Sequence, residues 1–327
     1  MSQLTVPSRP TGAEASAGSG AARSGTNEIK RSGGIRGSRW TGYLFLAPFL
    51  VLFGVFVAYP AVYGIWISLH DWDFLLPGKP FVGLDNYAAL FDPESVYSAG
   101  FWESMGHTAI FTVISVPFLV VIPLWLAVLL NRKFPGRTFF RAVFFAPYVL
   151  GVAVVGLMWR YLLDPEFGFV NQLAGSVGLP GNLPWTTGQP YAWISLVVVT
   201  VWWTVGFNAV IYLAGLANIG KEQYEAAELD GASSAQQFRF ITVPGLRPVL
   251  IFVSVTTILA SANMFGQSYL ITQGGPDEST RTAIMEITDL GLSQFKMGQA
   301  SAMSYVLAVF LCLVALGNFA ILRERKS

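Results

Sequence analysis

Six stretches of the chain carry no charged residue over roughly the length that crosses a membrane: 43–69, 108–130, 142–159, 191–219, 248–276 and 297–322. A helix needs about 20 apolar residues to span the ~30 Å hydrocarbon layer. The third stretch is the shortest, and it is expected to extend past Arg160 to Leu163 with the arginine at an interface. The longer runs exceed the bilayer, so their ends are expected to be interfacial. No stretch alternates at period two in the manner of barrel strands. The pattern predicts an all-α membrane protein of six transmembrane helices.

Lys and Arg in the connections set the expected orientation. The N-terminal tail holds Arg9, Arg23, Lys30, Arg31, Arg36 and Arg39. The second connection holds Arg132, Lys133, Arg137 and Arg141, the fourth Lys221, Arg239 and Arg247, and the C-terminal tail Arg323, Arg325 and Lys326. The first connection has only Lys79, the third none unless Arg160 is counted, and the fifth Arg281 and Lys296. This alternation predicts both termini inside (N-in/C-in). Residues 1–40 are rich in Gly, Ser, Ala and Arg and are expected to form a disordered cytoplasmic tail. Residues 41–327 form the membrane domain, with an outer cap loop at about 70–107 and a cytoplasmic elbow at about 220–244. The first span reads as an uncleaved anchor, because its apolar run starts late and is too long for a signal peptide.

Composition agrees with this class. The chain is 53% hydrophobic and only 12% charged, against about 25% charged in soluble domains. A net charge of +1 with no basic stripe gives no sign of nucleic acid binding. His70 and His107 are far apart, and Cys312 lies alone in an apolar run where packing is its expected role. No metal-ligand pattern or catalytic residue is read.

"GLANIGKE" at 215–222 imitates a nucleotide-binding P-loop but puts Glu222 where Ser or Thr must hold magnesium. An uncharged run too long for a strand precedes it, so this chain is not expected to bind ATP. The segment that follows is more informative. Residues 221–229 are good helix formers, Asp230-Gly231 reads as a stop, and Ser233 or Ser234 can cap a second short helix. Ala226 and Ala227 would let another surface approach closely, and Glu225 offers it a charge. Such an elbow suits docking to a cytoplasmic partner, or it is an amphipathic piece that only caps the bundle.

"EAAELDGASSAQQFRFITVP" at 225–244 spells Glu-Ala-Ala, three residues, Gly, nine residues, Ile-x-Val-Pro. It resembles the EAA signature of permease subunits in binding-protein-dependent ABC importers, with Val243 in the usual Leu place. "FVGLDNYAALF", "FFAPYVLGVAVVGLMWRYLLDPEFGFVN" and "YLITQGGPDESTRTAIMEITDLGLSQFKMGQASAMSYVL" are similar to the sugar-type branch, the maltose and glycerol-phosphate permease group. The resemblance covers nearly the whole chain after residue 40. Two departures are Ile219-Gly220, where the family has Ile-Pro, and His107, where it commonly has Asn.

The resemblance implies a type I ABC importer permease fold in a bacterial cytoplasmic (inner) membrane. It implies a second permease subunit, a dimer of ATP-binding cassette ATPases, an extracytoplasmic solute-binding protein and surrounding lipid as partners. ATP and Mg would sit on the ATPase, with no cofactor on this chain. Glu225, Ala226, Ala227, Asp230 and Gly231 would form the coupling helix that follows ATPase closure. The substrate would be a carbohydrate or related polyol.

A sugar path needs aromatic faces and amides inside the bundle. Asn208, Tyr212, Asn263 and Gln267 are the candidates, with Trp202, Trp203 and Ser261 nearby in sequence. Interhelical hydrogen bonding would equally explain the buried amides. Three other readings stay open: an ABC permease for a non-sugar solute, a polytopic membrane enzyme, and a stand-alone secondary transporter. The spans contain no Asp or Glu for ion coupling, which weighs against the last.

Overall fold

A computed structural model describes residues 39–178 and 180–323. The tail expected at 1–40 falls almost wholly outside them. The chain divides into two units, Met1–Val57 and Ala58–Ser327. In the first unit the described part is helix α1 (Arg39–Phe53), followed by a π-turn that begins at Gly54.

The second unit is mostly helical among its described residues. It opens with α2 (Tyr59–Ser68), the short α3 (Asp85–Phe91) and the long α4 (Val96–Asn131). Then come α5 (Arg137–Val149), α6 (Val152–Leu162) and α7 (Phe169–Ser176). Helix α8 (Tyr191–Ala217) leads to the elbow, α9 (Lys221–Leu229) and α10 (Ser234–Gln237). A π-turn (Phe238–Thr242), α11 (Val243–Gly245) and α12 (Arg247–Ala262) follow. The chain ends with α13 (Ala283–Thr288) and α14 (Met297–Arg323).

Among the described residues, four segments are long and apolar enough to cross a membrane: Tyr43–Ser68, Val96–Asn131, Tyr191–Ala217 and Met297–Ala320. Two bent pairs raise the number to six if each counts as one span: Arg137–Val149 with Val152–Leu162, at 96°, and Ser234–Gly245 with Arg247–Ala262, at 68°.

Two expected spans need correction. The span at 142–163 is not one helix; it breaks at Leu150-Gly151. The span at 248–276 is helical only to Ala262, and a separate π-turn (Ser268–Thr272) follows. Within the cap expected at 70–107, α4 is already helical from Val96, where Ser95 accepts a hydrogen bond from the Tyr97 amide as its N-cap. Cys312, expected to pack, is exposed on α14.

Helix α8 is the spine. It packs along α4, α5 and α12. Gly206 allows the closest crossing: a Cβ there would lie 2.1 Å from Phe144 O of α5. On the predicted outer side, Asn86 of α3 donates from Nδ2 to Ser68 O (2.8 Å) and His70 O (2.9 Å). Met297 N donates to Trp72 O at 2.9 Å. The chain after α2 is thereby pinned to α3 and to the start of α14.

Candidate functional site

The two helix breaks open a single cavity of about 800 Å³. Unpaired backbone at membrane depth is tolerated only where protein buries it or a cavity takes it. Both broken segments meet that condition. Val152, just past the first break, and Gly266, past the second, line the cavity and touch: a Cβ on Gly266 would lie 2.5 Å from Val152 Cγ2. Leu150 O, at the end of α5, accepts a hydrogen bond from Trp203 Nε1 at 3.0 Å.

One face of α8 forms a wall, with Thr200, Thr204, Asn208 and Ile211 at helical spacing. Tyr148 of α5 stacks on Phe207 with ring centroids 4.4 Å apart and planes 14° from parallel. These rings and Trp203 present flat apolar faces. Opposite them, α12 and the segment after it supply Thr256, Thr257, Ser261, Asn263 and Gln267. No Asp, Glu, Lys, Arg or His is among the described lining residues. The chamber suits a neutral, hydroxyl-rich solute that also has an apolar face.

Three of the four residues expected on a path meet here. Asn208 is 7% exposed and donates to Leu119 O at 3.0 Å and Thr257 Oγ1 at 3.5 Å, so it also ties α8 to α4 and α12. Asn263 caps α12 and donates to Leu259 O at 2.8 Å. The amide of Gln267 makes no hydrogen bond among the described residues. Tyr212 departs from the expectation. It is fully buried among Leu124, Ala127, Leu246 and Val253 and lines no part of the cavity. Trp202 lies in a separate apolar groove with Trp193 and Val198. The sequence reading missed Tyr148 and Phe207, because only the break before α6 turns α5 toward α8.

The elbow is built from two local caps. At the end of α9 the Gly231 amide donates to Glu228 O (3.0 Å) and the Ala232 amide to Ala227 O (2.9 Å). That is a Schellman stop, and Gly231 takes the left-handed conformation it requires, φ +76°. Ser233 then opens α10 with a reciprocal capping box to Gln236. Only Ala232 separates the two devices, so the angle between α9 and α10 has little freedom. Tyr224 OH and Thr242 Oγ1 form a 2.9 Å hydrogen bond that ties α9 to the turn before α12.

Glu225, Ala226, Asp230 and Gly231 are exposed, and Ala227 is half-buried. Leu229 is 90% exposed. It lies three and four positions after Ala226 and Glu225, on their face of the helix. The sequence reading counted Leu229 only as a helix former; that spacing was the signal it overlooked.

The connection between α12 and α14 holds an ion-pair cluster. Arg281 donates to Glu286 (2.6 Å), Asp289 (2.7 Å) and Glu278 (3.2 Å). Burial alone would lower the Arg281 pKa, but these carboxylates outweigh it and raise it. Burial likewise works to raise Asp289, and the Arg281 hydrogen bond overrides it to a net lowering. Among the described residues no cluster of His, Cys, Asp or Glu is placed to hold a metal ion.

Residues 87–325 match the family model described as "Binding-protein-dependent transport system inner membrane component". The chain belongs to this family. It is 34% identical to the probable ABC transporter permease protein YurN of Bacillus subtilis (strain 168), over 87% of this chain and 97% of that one. It is 32% identical to the trehalose/maltose transport system permease protein MalF of Thermococcus litoralis (strain ATCC 51850 / DSM 5473 / JCM 8560 / NS-C), over 84% and 92%. A crystal structure of a bacterial ABC transporter involved in import of the acidic polysaccharide alginate has the same fold. Its TM-score is 0.74 at 23% identity, covering 88% of this chain and 96% of that chain. This permease is a multi-pass component of an inner membrane, and in its family it is a transport subunit, with ATP hydrolysis on a separate chain.

Proposed function

We propose that this permease passes a carbohydrate or related polyol across the membrane, through the chamber between α8 and α12. The observation that carries the reading is the lining itself. Tyr148, Trp203 and Phe207 offer ring faces to the apolar side of a sugar. Asn208 on the same α8 wall, and Asn263 and Gln267 at and after the end of α12, bring amides for its hydroxyls. The trehalose/maltose permease relative supports the same substrate class. The expected topology keeps both termini inside, with the elbow at the cytoplasmic face.

The elbow is then the contact to the ATPase. Glu225, Ala226, Asp230 and Gly231 present an exposed, small-residue surface, and Ala227 lies beside them. Leu229 supplies an apolar anchor. ATP binding can favour the outward or inward state only through contacts that differ between them. A helix with a fixed angle, seated in a cleft that closes, is such a contact. A second permease subunit, a pair of ATPase chains and an extracytoplasmic binding protein complete the assembly. ATP and Mg belong to the ATPase.

The test is gentle purification of the tagged full-length chain, identification of what accompanies it, and uptake in proteoliposomes. An ATPase, a second permease and ATP-dependent sugar uptake are expected. Uptake that proceeds at full rate with the chain alone and without ATP would overturn the reading.

A further inference from the structure

The connection from α4 to α5 carries four cations within ten positions, Arg132, Lys133, Arg137 and Arg141. Residues 131–150 contain no Asp or Glu. Among the described residues Arg132, Lys133 and Arg137 are exposed and form no ion pair. Arg141 is used in part: its Nη2 donates to Leu130 O at 2.8 Å, against the C-terminal end of α4, while its buried Nε has no acceptor.

We propose that this turn binds the phosphate headgroup of an anionic phospholipid. The backbone builds the concentration of charge. Gly136 takes φ +83°, which lets the chain reverse at Pro135-Gly136 and start α5 at Arg137. Apolar side chains lie beside the cations. Phe139 is 67% exposed, and Phe140, Val143 and Phe144 of α5 are exposed with it. Basic residues adjoining exposed aromatics at the end of a span are the composition of a headgroup site. The other face of α5 is already occupied, because Gly206 of α8 sits against Phe144 O.

Charge separates this turn from the elbow. Residues 220–247 hold Glu222, Glu225, Glu228 and Asp230 beside Lys221, Arg239 and Arg247. The elbow is thus mixed in sign, as suits a protein partner. The charges of the turn are all basic and apolar side chains adjoin them, as suits the membrane that surrounds it. A general excess of basic residues on one side of the membrane explains the sign of these charges. It does not explain the exposed phenyl rings that adjoin these three exposed cations on the first turns of α5.

The test titrates short-chain phosphatidylglycerol against the detergent-solubilised full-length protein, with phosphatidylcholine of equal chain length and inorganic phosphate as competitors. Three forms are compared: wild type, Arg132→Gln/Lys133→Gln/Arg137→Gln, and the charge-keeping Arg132→Lys/Lys133→Arg/Arg137→Lys. Each juxtamembrane cation is worth about five-fold in affinity, so the Gln variant should bind phosphatidylglycerol about 100-fold more weakly. The charge-keeping variant should stay near wild type and elute at the same volume. Phosphatidylcholine and free phosphate should not displace the lipid. Equal displacement by inorganic phosphate would make this a free-anion site and overturn the proposal. So would unchanged lipid affinity in the Gln variant, or a Gln variant that keeps its lipid but no longer retains an ATPase chain.

Discussion

Lys296 Nζ donates to Asp73 Oδ2 across 2.9 Å, joining residues 223 positions apart. The pair fastens the chain after α2 to the start of α14, next to the Met297 amide bonded to Trp72 O. The Lys296 hydrogen bond, then the Leu75 amide, hold the Asp73 carboxyl below its usual range. The hydrogen bond that Lys296 donates to Asp73, and the charge of that carboxylate, raise Lys296. Asp73 therefore contributes stability above the ordinary carboxylate pKa, and loses it as pH falls through the lowered value. Lys296 contributes below the ordinary lysine pKa, and loses it as pH rises through the raised value. Asp73→Asn should lower the melting temperature by a constant margin between about pH 5 and 8, and the margin should vanish in stronger acid. Melting curves of the detergent-solubilised protein across that range read it directly. A margin that persists at the acid end would show that the ion pair is not its source.

Gly231 closes α9 at φ +76°. A β-branched residue resists that conformation, at about 1–2 kcal/mol. Gly231→Val should leave insertion and expression near normal, because the position is exposed, but change the angle at which α10 leaves α9. ATP-driven uptake should fall at least ten-fold. Equal uptake by the variant and wild type in proteoliposomes would remove the elbow from the coupling path.

Leu229 projects from the same helix with 90% of its surface free. A leucine so exposed contributes almost nothing to the fold of its own chain. At the centre of a docked interface, its truncation costs upwards of ~1 kcal/mol. Leu229→Ala should keep the wild-type melting temperature while the ATPase dissociates at least five-fold more readily. A pull-down with the ATPase subunit, run beside a melting curve, separates the two effects.

These residues also show which parts of the structure the sequence carried. The elbow was legible because its causes are local: helix formers to Leu229, then Gly231, then the Ser233 cap. The role proposed for it rests on spacing, Glu-Ala-Ala to Gly to Pro. The break at Leu150-Gly151 was not legible, since 142–163 reads as one apolar run. What fixes that break is remote, the Trp203 indole on Leu150 O and the packing of Val152 against Gly266. Tyr212 failed for a related reason. A tyrosine four positions from Asn208 shares its helix face by spacing, yet the crossing of α12 over that turn seals it among Leu246 and Val253.

The crossing of α8 with α5 can be probed at Gly206. A Cβ there would meet Phe144 O at 2.1 Å and Phe145 Cα at 2.6 Å, both on the backbone of α5. Neither can move without moving the helix. Gly206→Ala should therefore destabilise by more than the ~1–3 kcal/mol of ordinary overpacking. Low yield of folded protein, or a melting temperature well below wild type, is the expected readout. A fully stable alanine variant would mean that α5 and α8 cross less closely than this.

Two amides in one chamber should respond differently to truncation. Asn208 is bonded to Leu119 O and Thr257 Oγ1, so Asn208→Ala breaks ties to α4 and α12 and should lower stability by about 1–3 kcal/mol. Gln267 has no such tie, and its side chain is free to bond a solute hydroxyl. Gln267→Ala should leave the melting temperature within a degree or so, since no buried contact is lost. The lost solute bond, worth about 1 kcal/mol, should raise the KM for uptake about five-fold. Measured together in proteoliposomes and in melting curves, the pair separates a structural amide from one that meets the solute. If Gln267→Ala instead melts early and transports with an unchanged KM, its amide belongs to the scaffold and the solute lies elsewhere in the chamber.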